Sequence, residues 1–225
     1  MSNFLEIKKI SKNFKTEKII KVLKNLSQNF DKGKTYSIMG PSGSGKSTLL
    51  NLISLIDRPS SGSIKFNKKE INFNESESND IFRSKKIGII YQQNNLLPDF
   101  TALENIYLAS LAVNNNKELG MTNAKKLLKE IGLSNRSDHF PSQLSGGEAQ
   151  RIAIARSIVN NPEIILADEP TGSLDMETAK DIFELLNKQK RFDRLIIFAT
   201  HNRFFANKAD CLLEMVDGSI KTTNV

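Results

Sequence analysis

The chain lacks tryptophan and has only one cysteine, Cys211, and two histidines in 225 residues. A single cysteine excludes a disulfide within the chain, and the apolar neighbours of Cys211 predict a thiol packed in a buried strand. Long apolar runs are also missing, since a bilayer-spanning helix needs about 20 residues and the runs present are strand-sized. No basic segment followed by an apolar core opens the sequence, so no secretory signal is predicted. We therefore expect a cytoplasmic protein that does not cross a membrane by itself.

Neither sign of charge dominates strongly. Lysine and arginine number 32 against 25 aspartates and glutamates, which gives a net charge of +7. Such a surface can meet nucleic acid or the anionic face of a membrane. The lysine pairs are dispersed and lack interleaved aromatic residues, which favours an ordinary solvated surface. Hydrophobic residues make up 39% of the chain and charged residues 25%, as in globular proteins with a well-buried core.

The pattern of apolar residues predicts an α/β core interrupted by a helical stretch. Strand-like runs occupy residues 4–7, 19–23, 26–30, 63–66, 87–91, 164–167 and 195–199, and a terminal hairpin turns at 217–218. The first three runs predict a small antiparallel sheet. From 101 to 159 the apolar period is helical. We expect one domain, 1–225, with a core of 1–95 and 160–225 and a helical subdomain of about 96–159.

The sequence GPSGSGKST at residues 40–48 fits the pattern G-x-x-x-x-G-K-[ST] of a phosphate-binding loop. It lies between a strand-like and a helix-like apolar run, as the motif requires. Glycines without a Cβ let backbone N–H groups approach phosphate oxygens at a helix N-terminus, and the lysine and serine suit phosphate and Mg²⁺. The predicted nucleotide-binding residues are Gly40, Pro41, Ser42, Gly43, Ser44, Gly45, Lys46, Ser47 and Thr48.

Two carboxylates follow the apolar strand predicted at 164–167. They are Asp168 and Glu169, at the strand's carboxyl end, where ligands collect in parallel sheets. Asp168 is a candidate to hold Mg²⁺, directly or through water, and Glu169 to orient and polarise an attacking water. The alternative is an acidic turn without chemistry, which a phosphate loop in the same chain disfavours.

The sequence LSGGE at residues 144–148 opens a predicted helix. Its serine and two glycines expose N–H groups at a helix start, which suits a second anion-binding site. Taken alone, the same residues fit an ordinary helix N-cap. Their position just before the acidic strand favours the anion site.

In this order the motifs resemble those of the nucleotide-binding subunits of ATP-binding cassette (ABC) transporters. The corresponding elements are residues 40–48, Gln92, 144–148, 164–169, 173–175 and His201. The resemblance covers essentially the whole chain. It implies an α/β fold, the P-loop NTPase type of ABC nucleotide-binding domain, with an N-terminal antiparallel β subdomain and an inserted helical subdomain. It also implies an ATPase with ATP and Mg²⁺ as cofactors.

The resemblance assigns roles to the residues that match the motifs of this family. Catalysis would fall to Glu169, His201 and Gln92. Mg²⁺ would be held by Ser47, Gln92 and Asp168. Gln92 would contact both the metal and the attacking water, and His201 would contact the γ-phosphate and support Glu169.

A second copy of the chain would complete the nucleotide site. By resemblance, its signature residues Ser145, Gly146, Gly147 and Glu148 contact the ATP held by the first copy, and Asp175 lies on the dimer seam. Glu148 stands where the family more often has glutamine. Phe14 matches the aromatic residue that stacks on adenine, although a single aromatic residue fits a core position as well.

Residues 96–106, LLPDFTALENI, resemble the branch of lipoprotein-releasing ATPases, which also contains macrolide-efflux and cell-division cassettes. This implies a homodimer beneath integral membrane subunits, on the cytoplasmic side of the bacterial inner membrane, that drives lipoprotein release. Efflux or cell division is one alternative, a soluble cassette ATPase acting on nucleic acid another, and a phosphate-loop kinase or GTPase a third; no nucleic acid partner is expected. Leu96, Leu97 and Phe100 fit either a docking surface for the membrane subunit or the core.

Overall fold

The computed structural model describes residues 4–15, 17–113 and 116–223, which form two compact units. The first unit extends to Arg83 and resumes at Lys190, and the second comprises Ser84–Gln189. The boundary between the units at residues 83 and 84 falls within helix α2 (Ser76–Lys86). The predicted helical subdomain, about 96–159, lies inside the second unit, and its boundaries stay a prediction.

An antiparallel sheet forms the N-terminal part of the first unit. Its strands are β1 (Leu5–Lys15), β2 (Ile19–Phe30), β4 (Ser61–Phe66) and β5 (Lys69–Glu70), in the order β2-β1-β4-β5. Leu5 pairs with Phe30 on one side and Phe66 on the other, and all three side chains are buried. The predicted small antiparallel sheet is confirmed. Two of its three predicted strands form one continuous β2, in which Asn25 takes a left-handed φ of 50° without ending the strand.

Parallel strands and three helices make up the rest of the first unit. β3 (Thr35–Met39) pairs in parallel with β8 (Leu195–Ala199) and β9 (Cys211–Val216), and β9 turns back into the antiparallel β10 (Ser219–Thr223). The helices are α1 (Lys46–Ile53), most of α2 and α7 (Arg203–Ala206). β8 is buried along its whole length, as expected for a strand covered on both faces. Cys211 lies in β9 as predicted, but its side chain is only partly buried.

The second unit pairs two parallel strands and packs four helices. Its elements are β6 (Ile87–Ile90), α3 (Ala102–Leu111), α4 (Lys117–Glu130), α5 (Gly146–Ile158), β7 (Ile164–Asp168) and α6 (Met176–Asn187). The predicted helical stretch is confirmed, because α3, α4 and α5 share one apolar cluster that includes Ile106, Leu128 and Ile152. No helix in the described part of the chain is both long and apolar enough to cross a membrane.

Candidate functional site

The phosphate loop, residues 40–48, connects β3 to α1 in the first unit. Gly45 stands at the N-cap of α1 with a left-handed φ of 103°, and no side chain caps this helix. At Gly40, a Cβ would lie 2.2 Å from the carbonyl oxygen of Met215 and 2.7 Å from Ser44 Oγ. Only glycine therefore lets the loop pass this close to β9.

Two polar groups of the loop are buried and directed to its interior. Lys46 is 8% exposed, and its Nζ donates to the carbonyl oxygens of Gly40 (2.7 Å) and Pro41 (3.0 Å). Ser44 Oγ is buried and has no hydrogen-bond partner among the described residues. A buried hydroxyl without a partner is unfavourable, and a phosphate oxygen would supply that partner. The loop therefore fits the nucleotide phosphates that the sequence predicts.

The remaining predicted residues of the loop lie nearer its surface. Pro41, Ser42, Gly43 and Ser47 are exposed, and Thr48 is partly buried. Ser47 lies in the first turn of α1, where its hydroxyl is accessible to a metal ion bound with the phosphates.

The second unit brings Gln92 and Glu169 together around Gly172. A Cβ on Gly172 would lie 3.1 Å from Gln92 Nε2 and 3.4 Å from Glu169 Cβ. Glu169 follows Asp168 at the end of β7 with a left-handed φ of 47°, and its carbonyl oxygen accepts from Gly172 N over 3.0 Å. The amide group of Gln92 and the Cβ of Glu169 thus lie near the same glycine, and Asp168 precedes Glu169 in sequence.

The signature loop, residues 144–148, is an N-cap with a complete capping box. Ser145 Oγ accepts from Glu148 N (3.2 Å), and Glu148 Oε2 accepts from Ser145 N (2.8 Å). The other Glu148 oxygen accepts from Arg136 Nε over 2.8 Å, and this hydrogen bond is the main cause that lowers the pKa of Glu148. The sequence left two hypotheses for these residues, an ordinary helix N-cap and an anion-binding site. The structure contains the N-cap, and the same residues would form the anion-binding site.

The two signature glycines differ in the space around them. A Cβ on Gly147 would lie 2.6 Å from Thr178 Cγ2, whereas on Gly146 it would make an ordinary 3.5 Å contact with Leu174 Cδ2. Asp175 caps the neighbouring α6 by accepting from the N–H groups of Glu177 and Thr178, both over 3.0 Å. Its hydrogen bonds with Thr178 hold the pKa of Asp175 below the ordinary value.

His201 and Phe14 belong to the first unit and are both exposed. His201 follows β8, and the next residue, Asn202, caps α7 by accepting from Phe204 N over 2.9 Å. Phe14 is 40% exposed and Lys12 Nζ lies 4.9 Å from its ring centroid. The alternative of an ordinary core position for Phe14 is therefore wrong, and its role in stacking on adenine stays a prediction.

Sequence reasoning missed three polar residues that organise loops of the second unit. Gln150 and Arg156 of α5 hydrogen-bond to the backbone around Gln92. Asn105, 1% exposed, hydrogen-bonds to backbone groups of Leu97 and Phe100. The available signal was a polar residue on or beside the apolar face of a predicted helix, where apolar side chains are usual.

Comparison with known proteins identifies relatives over the whole chain. The family model described as ABC transporter matches residues 23–172. The lipoprotein-releasing system ATP-binding protein LolD of Wigglesworthia glossinidia brevipalpis is 45% identical over 98% of this chain and 97% of its own length. The macrolide export ATP-binding/permease protein MacB of Mannheimia succiniciproducens is 42% identical over 97% of this chain, which spans 34% of that protein.

A solved ATP-binding cassette structure is also similar to this chain over most of its length. The ATP-binding cassette MJ0796, in a dimeric post-hydrolysis state bound to ADP and Pi, superposes with a TM-score of 0.89 at 38% identity and 96% coverage of both chains. The predicted cassette fold, ATPase activity and cofactors, ATP and Mg²⁺, are thereby confirmed at the level of the family. The chain belongs to the ABC transporter family, as one of its ATP-binding subunits.

Proposed function

We propose that this chain is the ATP-hydrolysing subunit of a bacterial inner-membrane ABC transporter and that it drives the release of lipoproteins from that membrane. The observation that carries this proposal is the 45% identity to a LolD protein over nearly the full length of both chains. The chain would act on the cytoplasmic side of the membrane, beneath integral membrane subunits.

In the proposed nucleotide site the phosphate loop binds ATP. Lys46, already buried over the loop, interacts with the outer phosphates, and the unpartnered hydroxyl of Ser44 donates to a phosphate oxygen. Backbone N–H groups at the uncapped start of α1 surround the same oxygens. The adenine ring stacks on the exposed face of Phe14.

Hydrolysis is the task proposed for the residues at the end of β7. Glu169 orients and polarises the attacking water, and Gln92, whose amide group lies next to Gly172, fixes the position of that water. Ser47, Asp168 and Gln92 would hold Mg²⁺, whose charge would offset the negative charge of the phosphates. His201, exposed after β8, contributes a hydrogen bond to the γ-phosphate.

A dimer is proposed because one copy of the chain supplies two different halves of a site. The signature residues Ser145 and Gly146 are exposed, so a nucleotide on a second copy has access to them. Gly147 is partly buried, and Glu148 fixes the loop through its capping box. The solved dimeric cassette MJ0796 supports this arrangement in a relative of the same fold.

The proposed docking surface for a membrane subunit is formed by Leu97 and Phe100. Their side chains are 44% and 38% exposed, whereas Leu96 packs against the helical core. The buried Asn105 holds the loop between them with four hydrogen bonds of 2.8 to 3.1 Å. A rigid loop that displays two apolar side chains suits a protein partner.

A second candidate function is macrolide efflux, which the 42% identity to MacB supports. The matched part is 34% of that protein, whose name includes a permease, so in an efflux role this chain would act together with a permease. Purifying the chain with its membrane subunits and measuring ATP-dependent transfer of a lipoprotein out of proteoliposomes separates the two. Lipoprotein release supports the first function, and macrolide transport without lipoprotein release supports the second.

The dimer mechanism is tested by Glu169→Gln. Glutamine keeps the size of the side chain and one of its oxygens, and the phosphate loop is unchanged, so ATP binding should persist. Without a carboxylate to polarise the attacking water, hydrolysis should fall by about 100-fold or more. ATP should then hold the variant as a dimer in size-exclusion chromatography. The control is Glu177→Gln, an exposed acid in the first turn of α6. A Glu169→Gln chain that binds ATP yet stays monomeric at high concentration contradicts the proposed dimer.

A further inference from the structure

The glutamine segment, residues 91–95, is held in place by side chains of α5. Arg156 donates through Nη1 to the carbonyl oxygen of Asn95 and through Nη2 to that of Asn94, both over 2.7 Å. Gln150 donates through Nε2 to the carbonyl oxygen of the first residue of the segment over 3.2 Å. Three of the five backbone carbonyls of the segment are therefore bonded to one helix.

Arg156 occupies a position where a charge is unfavourable. Burial of its guanidinium lowers the pKa of Arg156, and the described residues offer it no ion pair. Gln150 is 3% exposed. Buried polar groups are tolerated when hydrogen bonds replace those lost to water, and here the carbonyls of the glutamine segment supply them. A role confined to packing would be served better by an apolar side chain.

The geometry of the arginine fixes the segment in orientation as well as in place. A planar guanidinium presents two N–H groups in a rigid fork, and these meet two successive carbonyl oxygens. Asn95 has a left-handed φ of 48°, so the backbone curves where it meets Arg156. Gln92 lies in the same short segment, with its amide group near Gly172. By fixing the backbone of this segment, the guanidinium of Arg156 limits the orientations open to the Gln92 side chain.

The same helix begins with the signature loop. α5 starts at Gly146, and Arg156 lies ten residues further along, which at 1.5 Å per residue is a distance of about 15 Å. We propose that Arg156, assisted by Gln150, is a positioning residue that couples the glutamine segment to the signature helix. A displacement of the signature loop by nucleotide on a second copy then reaches Gln92 in the first copy's own site. This inference rests on the proposed function, which assigns nucleotide contacts to both loops.

A double-mutant cycle on the full chain tests the coupling. Arg156→Gln should lower kcat for ATP hydrolysis by about tenfold with little change in KM, which is part of the roughly 100-fold loss that a 1 Å misplacement of a catalytic group can cause. In a Gln92→Ala background the same change should have an effect of less than about twofold, because residues that act through one another are not additive. Arg156→Lys, which keeps the charge without the fork, should fall between wild type and Arg156→Gln.

The matched control is Arg151→Gln on the same helix. Arg151 also donates to a backbone carbonyl, that of Ile131 at 3.3 Å, and forms an ion pair with Asp181 of α6. Among the described residues, its hydrogen bonds do not reach the glutamine segment. Its kcat should stay within about twofold of wild type. Independent kcat losses that multiply in the double variant, or an equal loss in Arg151→Gln, overturn the coupling. If Arg156→Gln lowers the melting temperature strongly, Arg156→Lys takes its place in the cycle.

Amide hydrogen exchange judges the coupling without relying on hydrolysis. Without the fork, residues 91–95 should exchange about tenfold faster in Arg156→Gln, and in Arg151→Gln they should exchange at the wild-type rate. Unchanged exchange in Arg156→Gln overturns the proposal. A wild-type chain without ATPase activity contradicts the proposed function instead, so the failures of the two proposals remain distinguishable.

Discussion

The phosphate loop and the signature loop both place glycines at a helix start, yet the chain builds them in opposite ways. In the phosphate loop, Gly45 takes a left-handed φ of 103° and α1 has no side-chain cap. In the signature loop, Ser145 caps α5 and forms a capping box with Glu148. The first helix start is therefore open to a ligand, whereas the second already has hydrogen bonds from its own chain.

This difference indicates how each loop meets ATP. A phosphate at α1 gains hydrogen bonds from groups that have no side-chain partner, including the buried hydroxyl of Ser44. At α5 the N–H groups of Ser145 and Glu148 already donate within the capping box, so a phosphate there finds fewer free donors and its net gain is smaller. We infer that the phosphate loop binds nucleotide in a single chain and that the signature loop contributes only when a second chain presents a bound ATP.

The largest effect on ATP binding is expected at Lys46 of the phosphate loop. Lys46→Ala removes the buried charge that lies over Gly40 and Pro41, so ATP affinity should fall by about 10- to 100-fold, the usual value of charged hydrogen bonds. Titration with a fluorescent ATP analogue measures the loss. Lys34→Ala, which removes a partly exposed ion pair with Asp31, is the control and should bind ATP as wild type does. Equal affinities in the two variants would remove the phosphate loop from nucleotide binding.

Gly146→Ala addresses the other loop. A Cβ there makes only an ordinary 3.5 Å contact with Leu174, so the chain should fold and bind ATP within about twofold of wild type. In the proposed dimer the added methyl group would lie beside the nucleotide of the second copy, so hydrolysis should fall by about tenfold. ATP binding and hydrolysis are measured on the same sample. If the two fall together, the inferred division of labour between the loops is wrong.

Ser145→Ala makes the signature loop resemble the phosphate loop by removing its cap. Loss of a serine N-cap costs about 1 kcal/mol of stability, which corresponds to a melting temperature lower by about 2–4 °C. Circular dichroism at increasing temperature measures the shift. Ser142→Ala, an exposed serine in the turn before the loop, should leave the melting temperature unchanged. A drop of the same size in both variants would show that the cap contributes nothing specific.

The sequence predicted the parts of the site that depend on local pattern. The phosphate loop, the carboxylates after β7 and the helix that begins at the signature loop all follow from residues within one short stretch. The roles of individual residues depended on distant ones. Arg156 meets Asn95, 61 positions away in sequence, and no local pattern predicts such a contact.

Local sequence patterns also could not predict which apolar side chains are exposed. Leu96 and Leu97 are identical neighbours, yet Leu96 packs against the helical core and Leu97 is 44% exposed. Their difference follows from the hydrogen bonds that Asn105 makes to the backbone of this loop. Phe14 likewise reads as either core or ligand contact until its 40% exposure is known. Apolar character alone does not determine which side of a loop faces the core.

The finest test of the comparison is the pH dependence of the capping box. The pKa of Glu148 lies below its ordinary value of 4.5, chiefly because of the hydrogen bond from Arg136 and then that from Ser145. A carboxyl group with a lowered pKa in the folded state adds stability above its unfolded pKa, and this is lost as the pH falls through the folded pKa. At about pH 7 the free energy of unfolding of Glu148→Gln should therefore be lower than that of the wild type, by about 0.5 kcal/mol or less for this partly exposed pair. Its melting temperature should be slightly lower as well.

That difference should vanish at a pH below the folded pKa, where the wild-type carboxyl is neutral like the amide. Arg136→Gln removes the same hydrogen bond from the other side and should show a difference from wild type in the same pH range. Melting curves at several pH values between about 7 and 3 measure both variants. A difference that grows as the pH falls would mean that Glu148 is stabilised in its protonated form, which the hydrogen bonds from Arg136 and Ser145 oppose.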